Sequence, residues 1–511
     1  MRKRRTVVRW FALAALGLVM AGAATRAADH AALASAVASI TRDELKGHVD
    51  VLADDTFEGR EAGSRGGRAA GNYLLKAYER LGLKPAGDGG SYVQSFGAAS
   101  RNVLGLIEGS DPQLKEQVVL LGAHYDHVGY GRSNNSYGPL GYIHNGADDN
   151  ASGVAGLLEI ADALNNLPQP PRRSILLACW DGEEAGLLGS RHWIGRPTIP
   201  LSRVAITINM DMIGRMQNGR LEVLGSRTAQ GLRRVVSQAN DEATTTLDFT
   251  WSFKADSDHW PFYERRIPFL MFHTGLHGDY HRPSDDPQRV NHAGLTSVAR
   301  IAFQTLLQLA DADKLPAFRD AVRSESALGR YALEQTVSPQ PPRFGMPFKV
   351  EAAEPLKIVL TGFTAGSPAE NSGMKAGDQL LELNGRPIEN ETRFRLQLLA
   401  AAGETTFLVK RPGSDTPLLY KVMPRGEPIR VGLSWRFDDA EPGVVLVTQV
   451  ISSSAAQVAG LKLRDRIYSI GGNSFKSEAE FVALLTSVPS PMDLVVERDG
   501  KLHTLTLALL E

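Results

Sequence analysis

Cysteine is almost absent from this sequence: Cys179 is the only one in 511 residues, which excludes a disulfide within the chain. An excess of either charge is also lacking, because 56 Lys and Arg face 57 Asp and Glu. Nucleic-acid-binding domains need a basic face, so we expect no nucleic-acid partner. Beyond the first thirty residues, no apolar run is long enough to cross a membrane. Hydrophobic residues nevertheless make up 43% of the chain, as in globular proteins with packed cores.

The first thirty residues have a composition of their own. Basic residues at positions 2–5 precede an apolar run from Trp10 to about Ala24, and small residues follow. This pattern is typical of a secretory signal peptide, and a retained N-terminal anchor is the alternative. We predict a signal peptide over residues 1–27, no membrane span after its removal, and a periplasmic or secreted protein. A single cysteine is compatible with that location, where disulfides are permitted but not required.

A chain of this length exceeds what one hydrophobic core serves, so several domains are expected. Over residues 30–315, short apolar runs that predict buried strands alternate with segments of helical periodicity. This alternation predicts a three-layer α/β/α sandwich with a mixed, largely parallel central sheet. The predicted strands are Asn102–Ile107, Gln117–Leu121, Ser174–Trp180, Val204–Met210, Leu221–Leu224 and Phe269–Phe272, and the predicted helices lie mainly in Ala31–Leu83, Ser152–Leu164, Glu184–Trp193 and Asn291–Leu309.

An internal repeat of about 85 residues occupies the C-terminal part of the chain. The first copy has Gly-Met-Lys-Ala-Gly-Asp at 373–378, and the second has Gly-Leu-Lys-Leu-Arg-Asp at 460–465. In both, a strand, a small-residue turn and a short helix precede this motif, and a strand with a tight glycine turn follows it. We predict a linker at 316–338 and two small β-rich domains at 339–425 and 426–511.

Three of the predicted buried strands are each followed by metal-ligand residues. His124 follows the second strand, Glu183 and Glu184 follow Ser174–Trp180, and Asp211 follows Val204–Met210. The carboxyl ends of parallel strands meet at one edge of an open α/β sheet, where binding sites form. Two further acidic or imidazole-bearing segments lie at 146–153 and 279–283.

Imidazole and carboxylate ligands together suit zinc, and a two-metal site needs one group that contacts both ions. Two histidines and three carboxylates would give each ion one imidazole, one terminal carboxylate and a share of a bridging carboxylate. Two Zn²⁺, three carboxylates and one hydroxide sum to zero charge, which avoids the large cost of burying a net charge.

These segments resemble the M28 family of metallopeptidases, the aminopeptidase type with two zinc ions. The resemblance covers about residues 40–315 and rests on His-x-Asp at 124–126, Asp-Asn-x-Ser-Gly at 149–153, Glu-Glu-x-Gly at 183–186 and Tyr-His at 280–281, in the family's order. Each motif alone is weak, but the ordered set is specific.

The resemblance implies a role for each matching residue. His124 and Asp211 would bind one zinc, Glu184 and His281 the other, and Asp149 would bridge them. The peptide bond after Asp149 would be cis. The remaining implied roles are Asp126 as the acceptor that orients the His124 ring, Glu183 as the general base, and Tyr280 as a donor to the developing oxyanion.

The resemblance therefore implies an exported exopeptidase that hydrolyses N-terminal amino acids from peptide substrates. Metal-bound water would be the nucleophile, and Glu183 would take its proton. Alternatives are a single-zinc acyltransferase similar to glutaminyl cyclase, a carboxypeptidase of the same fold, and a non-catalytic binding protein. The complete ligand set favours the two-zinc hydrolase. Cys179 is interpreted as a core residue, and five further histidines are interpreted as structural or bordering the pocket: His127, His144, His259, His273 and His277.

Both C-terminal repeats resemble PDZ domains, which bind an extended peptide at a sheet edge and hold its terminal carboxylate in a glycine-containing loop. We therefore expect peptide or protein C-termini as partners. The candidate carboxylate loop is Phe344-Gly345-Met346 in the first copy and Val431-Gly432-Leu433 in the second. The second copy departs from the family at Arg464, where the first has Gly377, so binding by the second is the weaker expectation.

Overall fold

The computed structural model describes residues 30–242, 244–338, 340–351 and 356–509. The predicted signal peptide, 1–27, lies outside these residues. Two compact units are present, one ending at Ala327 and the next beginning at Leu328. None of the helices within the described residues has the length and apolar character needed to cross a lipid bilayer.

The first unit alternates helices and strands along most of its length. Its helices are α1 (30–39), α2 (Arg42–Leu52), α3 (Arg65–Arg80), α4 (Gly153–Asn165), α5 (Leu188–Gly195), α6 (Leu232–Ala239), α7 (Trp260–Glu264) and α8 (His292–Asp311). Its strands are β1 (Lys84–Pro85), β2 (Val93–Phe96), β3 (Ser100–Ile107), β4 (Val118–His124), β5 (Ser174–Trp180), β6 (Val204–Met210), β7 (Arg220–Leu224), β8 (Thr246–Phe249) and β9 (Phe269–His273).

These strands form one nine-stranded sheet in the order β1-β3-β5-β4-β6-β9-β7-β8, with β2 paired to β3. The central pairings β5–β4, β4–β6 and β6–β9 are parallel, as is β7–β8. The four pairings of β1–β3, β2–β3, β3–β5 and β7–β9 are antiparallel. Because β5 and β6 flank β4 on opposite sides, the chain reverses its winding direction at β4, where open sheets form their sites.

Strand β5 shows why the unit has three layers. Ile175, Leu177 and Cys179 pack into the core on one face of the sheet, while Leu176, Ala178 and Trp180 pack into the core on the other. A strand buried on both faces reads as a continuous apolar run. The predicted three-layer α/β/α architecture with a mixed sheet is confirmed. Cys179 is indeed a core residue, and its burial raises the pKa of its thiol to about 12.

The predicted helix Glu184–Trp193 was wrong at its N-terminal end. Helix α5 begins at Leu188, and the residues before it form a turn in which the backbone N–H of Leu187 donates to the carbonyl of Glu183 at 2.8 Å. Gly186 and Leu187 both have positive φ values, 103° and 61°, which a right-handed helix does not allow. The acidic pair therefore lies in a loop above the sheet.

The second unit contains two sheets, one from each sequence repeat. After helix α9 (Ala327–Glu334), which lies in the segment predicted as a linker, the first module comprises β10 (Phe348–Glu351), β11 (Lys357–Leu360), α10 (Pro368–Asn371), β12 (Gln379–Leu383), β13 (Arg386–Pro387), α11 (Glu391–Ala400), β14 (Thr405–Lys410) and β15 (Leu418–Val422). The second comprises β16 (Leu433–Phe437), β17 (Val445–Val450), α12 (Ala455–Val458), β18 (Arg466–Ile470), α13 (Glu478–Ser487), β19 (Met492–Arg498) and β20 (Lys501–Leu507).

Each module is stabilised by its own buried aspartate–arginine pair, at equivalent positions in the two repeats. Asp378 is fully buried, accepts the backbone N–H of Lys375 at 2.9 Å and pairs with Arg411 through both carboxylate oxygens at 2.8–2.9 Å. In the second module Asp465 makes the corresponding bonds to Lys462 and Arg498 at 2.7–2.8 Å. The aspartate that ends each repeat motif thus holds the turn to the sheet.

Candidate metal centre

Asp149 lies between two clusters of ligand-type side chains. Its Oδ1 is 3.3 Å from His124 Nε2, which is 3.2 Å from Asp211 Oδ1. Its Oδ2 is 3.1 Å from His281 Nε2, which is 3.0 Å from Glu184 Oε2. The five residues predicted as metal ligands therefore come together, with one oxygen of Asp149 facing each cluster. The peptide bond between Asp149 and Asn150 is cis, as the resemblance implied.

The positions of these side chains follow from the sheet. His124 is the last residue of β4, Glu184 lies in the loop after β5, and Asp211 directly follows β6. Asp149 sits in the irregular turn Ala147–Ser152 that leads into α4. Since β4, β5 and β6 are adjacent and parallel, their carboxyl ends present all of these groups at one edge.

Asp126 contacts both the His124 ring and the loop that carries the acidic pair. Its carboxylate accepts the backbone N–H groups of Glu183 at 3.0 Å and Glu184 at 3.4 Å. The Nδ1 atom of His124 lies 3.2 Å from the carbonyl oxygen of Asp126 and 3.7 Å from its carboxylate. Asp126 thus contacts the His124 ring mainly through its backbone and fixes the loop that carries the acidic pair.

Arg60 joins the two loops that carry the site, and sequence reasoning missed it. Its side chain is fully buried and donates to four backbone carbonyls at 2.6–2.9 Å: those of Leu52, Tyr125, Asn145 and Gly146. The residue lies in a turn where Gly59 is so close to the Gly129 carbonyl that a Cβ would be 2.5 Å from it. An isolated arginine in a polar turn gave no signal in the sequence, because its partners are carbonyls from distant loops.

Buried negative charge dominates this region. Asp126, Asp148, Asp211, Asp258 and Asp285 are all buried near Asp149. Burial raises the pKa of the Glu183 carboxyl well above its usual range, with a further contribution from the neighbouring Glu184. Burial lowers the pKa of His124, but the charges of Asp211 and Glu183 outweigh it and raise the pKa well above the ordinary value. Hydrogen bonds satisfy several of these carboxylates, such as Asp211 and Asp285, but so many buried negative charges are costly without positive ones, so the electrostatics favour cations between the two clusters.

Tyr280 lies beside the second cluster. Its ring stacks on the imidazole of His281, with centroids 3.9 Å apart and an interplanar angle of 26°. Burial and the nearby charges of Asp149 and Glu184 raise the pKa of its hydroxyl. The phenol therefore stays protonated at neutral pH, as a hydrogen-bond donor must.

The ligand atoms fit zinc. Tetrahedral coordination at about 2.0–2.1 Å separates neighbouring ligand atoms by roughly 3.3 Å. Within the two clusters, each histidine Nε2 lies 3.0–3.3 Å from the carboxylate oxygens of Asp149 and of the terminal carboxylate. Among the described residues, His281 Nε2 is buried without a hydrogen-bond partner, although two carboxylates lie next to it. A nitrogen in that setting is suited to a cation. The residues that satisfy the ligand geometry form two groups that share Asp149, one of three residues and one of four.

The fourth member of the larger group is His127, which was interpreted from the sequence as structural or bordering the pocket. Its Nδ1 lies 2.8 Å from Glu184 Oε1 and 3.7 Å from Asp149 Oδ2, and its side chain is buried. One signal for this position was present in the sequence: His127 lies shortly after His124, in the loop that follows β4. Beyond that, local sequence pattern does not indicate this position, because the backbone N–H of His127 donates to the carbonyl of Arg60 in a distant turn.

A groove lined by residues of both PDZ-like modules lies at the predicted carboxylate loop of the first. Phe344, Gly345 and Met346 line a cavity of about 920 Å³, together with residues of α11 and of the end of β17. Gly345 has a φ of 66°. The guanidinium of Arg343, next to this loop, is bound by the carbonyls of Leu398, Leu399, Arg425 and Gly426. The loop is thus held in place beside the helix that borders the groove.

The corresponding loop of the second module is packed in a similar way. Val431 and Leu433 pack against the module's own core, and a Cβ on Gly432 would be 2.1 Å from that of Ser454. On strand β16, Trp435 donates to Glu478 of α13 at 3.1 Å. This side chain bridges the strand and the helix between which a PDZ ligand lies.

Comparisons with known proteins agree with this organisation. Residues 102–306 match the model of peptidase family M28, and residues 334–407 and 431–509 each match a PDZ domain model. Leupeptin-inactivating enzyme 1 of Streptomyces exfoliatus is 28% identical over 42% of this chain and 46% of its own length, and aminopeptidase YwaD of Bacillus subtilis is 26% identical with the same coverage. The LapA aminopeptidase of Legionella pneumophila superposes with a TM-score of 0.45 at 20% identity, over 55% of this chain and 74% of its own.

The chain spans about half the length of the curated relatives it matches. It contains an M28 peptidase domain followed by two PDZ domains.

Proposed function

We propose that this chain, which carries an M28 peptidase domain and two PDZ domains, is an exported exopeptidase that uses two zinc ions to release N-terminal amino acids from peptides. The observation that carries the proposal is the position of Asp149, whose two oxygens each face a separate imidazole–carboxylate cluster at 3.1–3.3 Å. A carboxylate shared in this way is what a two-metal hydrolase needs.

His124 and Asp211 would hold one ion, Glu184 and His281 the other, and Asp149 both. Zinc in such a site acts as a Lewis acid on the substrate carbonyl and makes water acidic enough to be deprotonated near neutral pH. Hydrogen bonds support this ligand set: Ser257 donates to Asp211 Oδ2 at 2.6 Å, and Asn209 donates to Ser257 at 2.7 Å. Ligand carboxylates held by such bonds keep their orientation.

Glu183 would move the proton in this reaction. Its carboxylate takes a proton from the attacking water and passes it to the nitrogen of the leaving amine, so it ends each cycle unprotonated. Its backbone N–H is bound to Asp126 at 3.0 Å, which holds it beside the ligand Glu184. Tyr280, stacked on His281, would donate its hydroxyl proton in a hydrogen bond to the oxyanion.

The charge of the site favours a free amino terminus as the substrate group. Two zinc ions and a hydroxide would offset the three ligand carboxylates, but further buried carboxylates remain beside the clusters, and Arg60 is engaged by four backbone carbonyls. An ammonium group gains from this field, and a substrate carboxylate is repelled by it. This supports an aminopeptidase over a carboxypeptidase.

The PDZ domains would tether peptides or protein C-termini, chiefly through the first module. Its loop Phe344-Gly345-Met346 borders a groove of about 920 Å³, whereas Trp435 bridges the strand and helix of the second module. Pockets of several hundred Å³ are the usual size for binding a ligand, so this groove has room for a few side chains of a bound peptide.

The experiment is to purify the mature protein, count bound zinc, and assay a panel of aminoacyl anilides with and without a chelator. We expect two zinc ions per chain, release of free amino acids, and loss of activity with chelator that added zinc restores. N-acetylated anilides are the matched control and should not be cleaved.

Cleavage of blocked substrates at an equal rate would refute the aminopeptidase assignment. Conversion of N-terminal glutamine to pyroglutamate by protein with one zinc would instead establish the cyclase alternative.

A further inference from the structure

His127 lies where a fourth ligand of one metal position would lie. Its Nδ1 atom points at the cluster of Asp149, Glu184 and His281, with separations of 2.8 Å from Glu184 Oε1 and 3.7 Å from Asp149 Oδ2. One distance is shorter and the other longer than the roughly 3.3 Å expected between neighbouring ligand atoms of tetrahedral zinc. The rings of His127 and His281 meet edge to face, with centroids 5.5 Å apart. One ligand atom from each of the four residues thus lies within 4.8 Å of the others.

A hydrogen bond to Glu184 alone does not account for this arrangement. Such a bond would use Glu184 Oε1 only, yet Nδ1 also lies near the bridging oxygen of Asp149 that faces His281. The other ring nitrogen, Nε2, is buried without a hydrogen-bond partner among the described residues, so Nδ1 is the nitrogen that interacts with the site. The side chain has no freedom to turn away, because it is 1% exposed and its Cδ2 would touch any Cβ placed on Gly146, at 2.5 Å.

We propose that His127 is a direct ligand of the metal held by Asp149, Glu184 and His281, an inference that rests on the two-zinc function proposed above. That position would then have four protein ligands, whereas the position at His124, Asp149 and Asp211 would have three. We therefore expect the four-residue position to bind zinc more tightly and to load first.

X-ray absorption at the zinc edge tests this on the wild-type full chain. Protein stripped of metal and reloaded with one equivalent of zinc should show two imidazole ligands per zinc, from His127 and His281. After the second equivalent, the average should fall to about 1.5 imidazoles per zinc, since His124 alone serves the other ion. One imidazole per zinc at both stages would overturn the ligand assignment while leaving the two-zinc hydrolase intact, and failure to bind zinc at all would overturn both.

Two variants separate a ligand from a hydrogen-bonding neighbour. Loss of a neighbour that only orients a ligand costs about 10–100-fold in metal affinity, so His127→Ala should weaken the tighter zinc by more than 100-fold in chelator competition. His127→Gln keeps a donor for Glu184 but supplies no imidazole, and it should weaken the same zinc comparably. Recovery of wild-type affinity in His127→Gln would show that hydrogen bonding suffices and would refute the proposal.

His144→Asn is the matched control, because His144 is also buried and its ring bonds to Ser136 and the Tyr142 carbonyl rather than to either cluster. Zinc affinity in this control should stay within a few-fold of wild type. If His127→Ala does not fold, the imidazole count on the wild-type protein still decides the question.

Discussion

Removal of the Arg60 side chain should destabilise the peptidase unit and loosen both loops of the metal centre. Arg60→Met keeps the length and the apolar stem but donates no hydrogen bond. Four buried carbonyls, at 2.6–2.9 Å from the guanidinium, lose their donor. At about 1.5–3 kcal/mol for each bond from a charged donor, the four bonds amount to about 6–12 kcal/mol. Since whole domains are stable by only about 5–15 kcal/mol, this is a large fraction.

The guanidinium is charged at neutral pH, so these bonds are charge-assisted. Burial lowers the pKa of Arg60 to about 10, and the nearby charges of Asp149 and Asp126 oppose that effect. Arg60→Lys keeps the charge but has a single donor group, which reaches fewer of the diverging carbonyls. We expect it to lose about half as much stability as Arg60→Met.

Urea unfolding of the metal-free full chain, followed by the fluorescence of the buried residues Trp180 and Trp193, measures these losses in the first unit. Chelator must be present, because bound zinc would add its own stabilisation. Arg65→Met is the matched control: its side chain is 78% exposed and pairs with Glu58 at the surface, so it should change the unfolding free energy by under about 1 kcal/mol. An Arg60→Met protein within about 1 kcal/mol of this control would refute the reasoning.

Three further predictions concern separate parts of the chain. Glu183→Gln should lower kcat by about 10²–10⁴-fold while zinc content stays unchanged; near-full turnover would contradict its role as the base. Asp378→Asn should destabilise the first PDZ module by about 2–3 kcal/mol in calorimetry, because it breaks a buried ion pair whose partner Arg411 is partly exposed; an unshifted transition would contradict this. For Glu325, burial raises the pKa, but the hydrogen bonds from Arg227 and a second arginine outweigh it and the pKa is lowered below 4.5. Its stabilisation is therefore present above pH 4.5 and lost as the pH falls through the folded value, so the melting temperatures of wild type and Glu325→Gln should differ at neutral pH and converge in acid.

The central strands and the groups that follow them were predictable because they depend on local pattern. From Ile175 to Trp180 the sequence is apolar without interruption, and the structure has β5 over Ser174–Trp180. Since a strand buried on both faces is largely apolar, its end is visible in the sequence where the carboxylates begin. The ligand-type residues after such strands could be placed at one edge without knowing any side-chain contact.

Other features depend on contacts between distant segments and could not be predicted in this way. Arg60 donates to carbonyls of Tyr125 and Asn145, which lie in distant loops. No helical or strand periodicity in the sequence links Arg60 to these residues. The position of His127 beside Glu184 could not be predicted either, because the path of the chain after β4 involves a bond from the His127 N–H to the Arg60 carbonyl, at 3.3 Å. The start of α5 was missed because Leu187 adopts a left-handed conformation that its residue type does not favour.

The most direct test of the account is a crystal structure of the zinc-loaded protein with an anomalous difference map at the zinc edge. Two peaks are predicted, about 3.5–4 Å apart as in two-metal hydrolases, one on each side of the Asp149 carboxylate. A single peak, or two peaks that do not share Asp149, would contradict the claim that this carboxylate bridges two zinc ions.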